Sequence, residues 1–459
     1  MLNRSCSPTH SALIEEIEEY FLLDCMTQVA ISSLNHIQSW EDVLPNDDRF
    51  EQTLLLSVKR NGLKEEAFLS DLFGQWISFR LTEYDGKSLV PEGSLVANLI
   101  TLGGGLDGIQ NVQFLLSGIK AAKQQLKRLS LLVGLNSRKK EIKDALDSGI
   151  GGEDFPLNVV IYDVGQGNAN ALVDEYGHPR LFFDLGWPTS LNSSSRPPCP
   201  PNLFSCEREC TPVQAPVILS HWDYDHWGYA VANTDYVFGA GAVKMTFKAD
   251  AISRPWIVPK PPRLNNRGKG LGPTHMRLLA ALPNRIAWPN ALKTVKFSAG
   301  IITRSDIKVL PADRNNQGLA WFVMQKKSLD ALLLPGDLSF DRMRWPNPLP
   351  QVVGLLASHH AGAVTGITAT SALKAKNQKK MAVSVGLINK HKHPMSNMLQ
   401  DYQSINWHPA VRTSTRSICA KSGKQNGAIL MKLNPSSNSP RFECPCVLIG
   451  NLVPTQSIP

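Results

Sequence analysis

The sequence predicts an α/β protein, helical over residues 1–150 and rich in short strands over residues 151–459. Three observations carry that prediction. Apolar residues recur near helical spacing before residue 150, and short apolar runs that stop at Asp, Ser or His follow after residue 156. Charge divides at the same place: residues 1–150 hold 15 Lys+Arg against 20 Asp+Glu, and the remainder 33 against 19, so the overall +9 conceals an acidic part and a basic one. A polyanion is expected on the basic part, because Lys and Arg gain by displacing counterions from phosphates.

Each element follows in order. Leu13, Ile14, Ile17, Phe21, Leu22, Val29 and Ile31 predict a helix between Ser11 and Ile37, capped by Thr9 or Ser11, with Glu15, Glu16, Glu18 and Glu19 in its first turns. Val112 to Val133 predicts a second, amphipathic helix with Lys120, Lys123, Lys127 and Arg128 on one face. The polar stretch from Lys139 to Gly152 then closes the first region, a candidate interaction domain for a protein partner. Strands are expected at residues 157–163, 181–184, 217–220, 331–334, 352–356 and 381–385. Surface insertions are expected near 188–216, which contains LNSSSRPPCPP, and near 250–275, which contains PKPP and NNRGKG.

With 459 residues, 42% hydrophobic and 19% charged, the chain is placed outside the disordered, fibrous and disulfide-scaffold classes. The opening residues turn acidic without an apolar stretch, and Leu95–Ile119 is broken by Asn98, Asp107 and five glycines. Neither a secretory signal nor a membrane span is expected, and the expected address is cytoplasmic. Cys199, Cys206, Cys210, Cys444 and Cys446 cluster, but without the C-x2-C knuckle of zinc ribbons, so ordinary loop thiols are expected.

The densest chemistry follows the apolar run Val217–Ser220, where His221, Asp223, Asp225 and His226 offer four potential ligands within six residues. Charge at the end of a buried strand is costly unless paired or bound to a metal. His with Asp suits Zn²⁺, and carboxylate-rich sets move the preference toward Mn²⁺. Two cations roughly 3.5–4 Å apart can share a hydroxide and clamp a phosphoester, which makes hydrolysis the natural output. Trp222 and Trp227 flank these ligands and suit either base stacking or core packing.

His221, Asp223, Asp225 and His226 meet the signature H-x-[HD]-x-D-H, and by it the chain resembles the metallo-β-lactamase superfamily. It is most similar to the ComEC-type metallohydrolase domain of DNA-uptake proteins. Asp163-Val-Gly-Gln-Gly167, Phe182-Phe-Asp184-Leu-Gly186, Leu332–Asp337, Ser358–Gly362 and Ser384-Val-Gly386 with Asn389 and His393-Pro394 resemble that branch's further motifs in order. The resemblance spans roughly residues 157–431 and implies a four-layer αββα sandwich behind an N-terminal helical region.

It also implies two divalent ions, Zn or Mn. Asp337 would bridge them, His221 and Asp223 would hold one, and Asp225, His226 and either His359 or His360 the other. Asp225 and His393 are the implied catalytic residues, with Asp184 and Asn389 behind the ligands. The expected function is cleavage of phosphodiesters in nucleic acid or nucleotides, along a groove lined by Lys244, Lys248, Arg263, Arg267, Lys269 and Arg277. The alternatives are a hydrolase of small esters, lactones or amides, and a non-catalytic module in a multi-protein complex.

Overall fold

The computed structural model describes residues 9–17, 20–27, 51–60, 64–71, 75–103, 112–122, 137–150, 157–204, 214–260, 271–306, 314–326, 328–418, 425–434 and 456–458. Six strands, β1 (Thr9–Ile17), β2 (Tyr20–Thr27), β3 (Thr53–Lys59), β4 (Trp76–Tyr84), β5 (Leu95–Ile100) and β6 (Gln113–Ala121), close an antiparallel barrel in the order β1-β2-β3-β5-β6-β4. The two helices expected in this region are therefore strands where they are described. The cause lies in the burial pattern of β2. Phe21, Leu23 and Cys25 point into the barrel core, whereas Leu22 and Met26 pack outward against the rest of the protein. Burial on both faces removes the polar/apolar alternation that marks a half-buried strand. In β6, Phe114 and Leu116 are buried in the barrel while Gln113, Leu115 and Ser117 between and beside them are half-buried, which is alternation of period two. Glu18, Glu19, Val29, Ile31, Lys123, Lys127 and Arg128 lie outside the described residues.

The next strands are β7 (Asn158–Ile161), β8 (Ala169–Val173), β9 (Pro179–Leu185), β10 (Val217–Ile218), the hairpin β11 (Val231–Val237) and β12 (Ala242–Phe247), β13 (Trp256–Pro259) and β14 (Arg285–Trp288). They are followed by β15 (Thr294–Phe297), β16 (Gly300–Arg304), β17 (Leu319–Val323), β18 (Asp330–Leu334), β19 (Gln351–Leu355), β20 (Lys379–Val383) and β21 (Trp407–Arg412). The last are β22 (Ser417–Ile418), β23 (Gln425–Asn426), β24 (Ile429–Lys432) and β25 (Gln456–Ile458). An eight-stranded sheet runs β14-β13-β10-β9-β8-β7-β24-β25, and a five-stranded one runs β15-β16-β17-β18-β19. They face each other through Val159, Ile161, Leu172 and Phe183 on one side and Trp321, Leu332 and Leu334 on the other. All the described strands expected after residue 156 are present within a residue or two.

The αββα sandwich with a helical N-terminus is not formed. Strand makes up 38% and helix 18% of the described residues, which are therefore mostly β. The outer face of the larger sheet is covered by one nine-residue helix, Pro273–Ala281, together with loop aromatics and Leu22, Met26, Trp76 and Ile100 of the barrel. Lys139–Ser148, expected as a polar exit, is a helix that sends Ile142 and Leu146 into the core between the sheets. The two insertions are not wholly superficial: Asn192, Ser195 and Arg196 are buried, and Trp256–Pro259 is a buried sheet strand. Among the described residues no helix is long and apolar enough to cross a membrane. Cys25 and Cys199 are free thiols, while Cys206, Cys210, Cys444 and Cys446 lie outside the described residues.

Candidate metal centre

Strand ends from both sheets meet at one point. His221 to His226 leave β10 and close in a 3-10 turn, with His226 N donating to Asp223 O at 3.0 Å. This segment rests on backbone: Asn168 N donates to Asp225 O at 3.0 Å, and a Cβ on Gly186 would collide with the same carbonyl oxygen. The glycines of the stretches 163–167 and 182–186 thus give the ligand loop its close seat. Asp337 follows β18. His359 and His360 follow β19 in a turn where they and Ala361 take φ of 51°, 53° and 57°. Three consecutive side chains in the left-handed region cost roughly 1–2 kcal/mol each, a strain that the surrounding contacts must hold in place. Ser358 anchors the turn, its Oγ donating to Leu338 O at 2.8 Å and its N to the Tyr402 hydroxyl at 3.1 Å.

Two triads result, each with donor atoms within 4.8 Å of one another: His221, His226 and Asp337, and Asp225, His226 and His360. His226 Nε2 lies 3.3 Å from Asp337 Oδ1, His221 Nε2 3.7 Å from Asp337 Oδ2, and His360 Nε2 3.3 Å from Asp225 Oδ2. His221 Nε2, His226 Nε2, His360 Nε2 and Asp337 Oδ1 are all buried without a hydrogen-bond partner. Four orphaned buried atoms, each costing about 1–3 kcal/mol when unmet, are a donor set that fits a divalent cation.

The far sides of the imidazoles are engaged. His226 Nδ1 donates to Asp184 Oδ2 at 2.8 Å, while Asp184 Oδ1 accepts Ser220 N at 2.6 Å. His360 Nδ1 donates to Ser384 O at 2.7 Å, and Ser220 Oγ lies 3.1 Å from both His221 Nδ1 and His226 Nδ1. A proton held on Nδ1 leaves the Nε2 lone pair facing inward, the tautomer a metal ligand needs. Burial alone would raise the Asp337 carboxyl, yet His226, His359 and His221 hold it well below the ordinary carboxylate value. Burial would lower His226, yet Asp337 and Asp184 carry it well above the usual imidazole value. Both directions express one demand: the carboxylates require positive charge at the centre.

His360 therefore joins the donor set. His359 is a quarter exposed, with Nε2 3.8 Å from Asp337 Oδ2 and 3.3 Å from Asn315 Nδ2, and it belongs to neither triad. Asp223 stands at the edge: its Oδ2 is 3.3 Å from His221 Nε2, while Arg314 Nη1 donates to its Oδ1 at 3.1 Å. His393 is buried with its ring 6.1 Å from that of His360. Asn389 holds the His393 backbone from both sides, Oδ1 accepting its N at 3.0 Å and Nδ2 donating to its O at 2.8 Å. Burial foremost, then His359, His360 and His391, pushes His393 down to about 2, so it is neutral near pH 7.

The expected cationic groove is not assembled as drawn. Arg277 is buried and donates to Val243 O at 2.9 Å and Glu51 O at 3.0 Å, while the Lys248 ammonium sits 3.2 Å from the Tyr229 ring centroid. Arg263, Arg267 and Lys269 lie outside the described residues, and Lys244 is exposed. Trp222 and Trp227 are core residues whose indole N–H groups donate to Pro259 O and Trp222 O, which takes them out of base stacking.

Sequence reasoning missed the support behind the loop. Asp24 of β2 accepts Thr274 N and Oγ1 and the Tyr224 hydroxyl, and its Oδ2 lies 3.5 Å from His275 Nδ1. His275 Nε2 is 3.3 Å from Arg314 Nη1, which reaches Asp223. The pairs in this chain are separated by as many as 250 residues, so no local spacing signals them. Comparison with models of protein families, with curated proteins and with solved structures gave no match.

Proposed function

We propose that the protein is a metal-dependent hydrolase of phosphodiesters, in nucleic acid or nucleotides, with Zn²⁺ or Mn²⁺ held by His221, His226, His360, Asp225 and Asp337. The observation that carries the reading is the convergence of three unpartnered Nε2 atoms and Asp337 Oδ1 in a buried space. The likeness of residues 221–226 to the metallo-β-lactamase signature supports it at the level of the donor set. One Nε2 ligates one ion, so a second ion depends on Asp337, whose Oδ1 faces His226 and whose Oδ2 faces His221 and His359. Such ions lower the pKa of a shared water toward neutrality and neutralise charge on the attacking and leaving oxygens.

The chain's own residues supply positioning and protons. Asp225, a quarter exposed, is placed to orient the attacking water through the oxygen not paired with His360. His393 stays neutral; with Gln166 Nε2 donating to its Nδ1 across 3.3 Å, its Nε2 carries the proton and can give a hydrogen bond to a developing alkoxide. Exposed Lys390 and Lys392 lie just before His393 in the chain and favour an anionic substrate.

The test incubates the purified protein with Zn²⁺ or Mn²⁺ and labelled single- and double-stranded DNA, RNA and a generic phosphodiester. Turnover is expected to vanish in Asp225→Ala and Asp337→Ala. Equal turnover by these variants would overturn the reading, as would cleavage confined to uncharged esters and indifferent to salt.

A further inference from the structure

Beside the donor cluster lies a cleft of about 350 Å³ walled by Asn316, Ser339, Arg342, Ala363, Thr365 and Met398, within the size range of ligand sites. Its walls belong to the chain segments that lead away from the metal centre. Ser339 and Arg342 continue the chain from Asp337, Ala363 and Thr365 continue it from His360, and Asn316 follows Asn315. His359 links the two: its Nδ1 is 3.3 Å from the carbonyl oxygen of the lining residue Ala363, and its Nε2 is 3.8 Å from Asp337 Oδ2.

The walls are pinned to one another. Ser339 N donates to Asn316 Oδ1 at 2.7 Å, Thr365 N to Ser339 Oγ at 3.2 Å, and Phe340 N to Thr365 O at 2.9 Å. Arg342 is half exposed, its Nε 3.7 Å from Asp341 Oδ2, and Asp341 Oδ1 in turn accepts Thr365 Oγ1 at 2.6 Å. The cleft therefore offers a guanidinium fork and a serine hydroxyl on a preformed wall, with Met398 as an apolar floor.

We propose that this cleft is a subsite for a second, non-scissile phosphate of the substrate, with Arg342 as its cationic ligand. The inference rests on the phosphodiester reading and deepens it. A guanidinium matches phosphate oxygens two at a time, and the apolar wall accommodates the sugar or base next to that phosphate. A polymer or oligonucleotide with one phosphate at the ions then reaches the cleft with a neighbouring one.

The experiment compares binding of thymidine dinucleotides with and without a 5′-phosphate to the full chain by titration calorimetry, at several salt concentrations and with and without Zn²⁺. The phosphorylated form is expected to bind about tenfold more tightly, with a salt slope steeper by about one. Arg342→Gln is expected to abolish that difference while metal content and thermal midpoint stay as in the wild type. Asn316→Asp keeps the acceptor for Ser339 N but adds a negative charge, and is expected to weaken the phosphorylated form selectively. If Arg342→Gln retains the preference, or the wild type shows none, the subsite is overturned even if phosphodiesters are cleaved. Arg342-dependent phosphate binding in a protein that cleaves no phosphodiester would instead uphold the subsite and overturn the hydrolase reading.

Discussion

Asp184, next to last in β9, has φ of 66°, and both its oxygens serve the ligand loop, one on Ser220 N and one on His226 Nδ1. In Asp184→Asn the amide can still accept from Ser220 N, but its NH₂ cannot accept the His226 proton, which turns the lone pair away from the centre. Such supporting partners are worth roughly 10–100-fold in metal affinity, and that loss is expected for Zn²⁺ in competition with a chromogenic chelator. Unchanged affinity would remove His226 from the ligand set. Lys248 supplies a prediction of a different kind. Burial pushes its ammonium down to about 8, whereas an unfolded lysine titrates near about 10.4. Between those values the unfolded chain binds more protons, so stability rises with pH and the burial penalty is fully present below about pH 8. Urea midpoints at about pH 7.5 and about pH 9.5 are expected to show the wild type gaining on Lys248→Met, and parallel midpoints would refute it.

The elements that matter most for the site are joined by side chains rather than by sheet pairing. Asp24 fastens the barrel strand β2 to the start of helix Pro273–Ala281 and, through Tyr224, to the ligand loop. Asp24→Ala leaves the Thr274 N–H, the Thr274 hydroxyl and the Tyr224 hydroxyl without this acceptor, and is expected to lower the unfolding free energy by about 3 kcal/mol in urea titrations. A loss below about 1 kcal/mol would mean that the barrel is fastened elsewhere. The same strand shows why the barrel was illegible. Its period-two pattern exists only when Leu22 and Met26 are known to face a second body, and along the chain the apolar run with adjacent glutamates reads equally well as a helix turn. The strands β9, β10, β18 and β19 are legible because each is a short apolar run with a polar residue, Asp184, Ser220, Asp337 or Ser358, at or just beyond its end.

Across the whole molecule, a cation bound only by the folded chain stabilises it by mass action, about 2.7 kcal/mol at a hundredfold excess over Kd. Thermal scans are expected to show a midpoint that rises with Zn²⁺ or Mn²⁺ and falls with chelator, and no metal response in Asp337→Asn; an equal response in that variant would place the ion elsewhere. Such coupling would be natural here because the candidate donors come from strand ends of both sheets, so an ion held by them would tie together segments from residue 221 to residue 360. The amino-acid order alone determined the local part of this arrangement: a cluster of His and Asp after an apolar strand, the glycine turns beside it, and the strand ends that carry Asp184 and Asp337. Only the tertiary structure decided that His360 rather than His359 faces the centre, that Arg277 is a buried support and Lys248 is half-buried against Tyr229, and that a barrel stands where helices were expected. Those outcomes depend on which surfaces meet across hundreds of residues, and burial of a face is a property of its partner, which no spacing within one segment encodes.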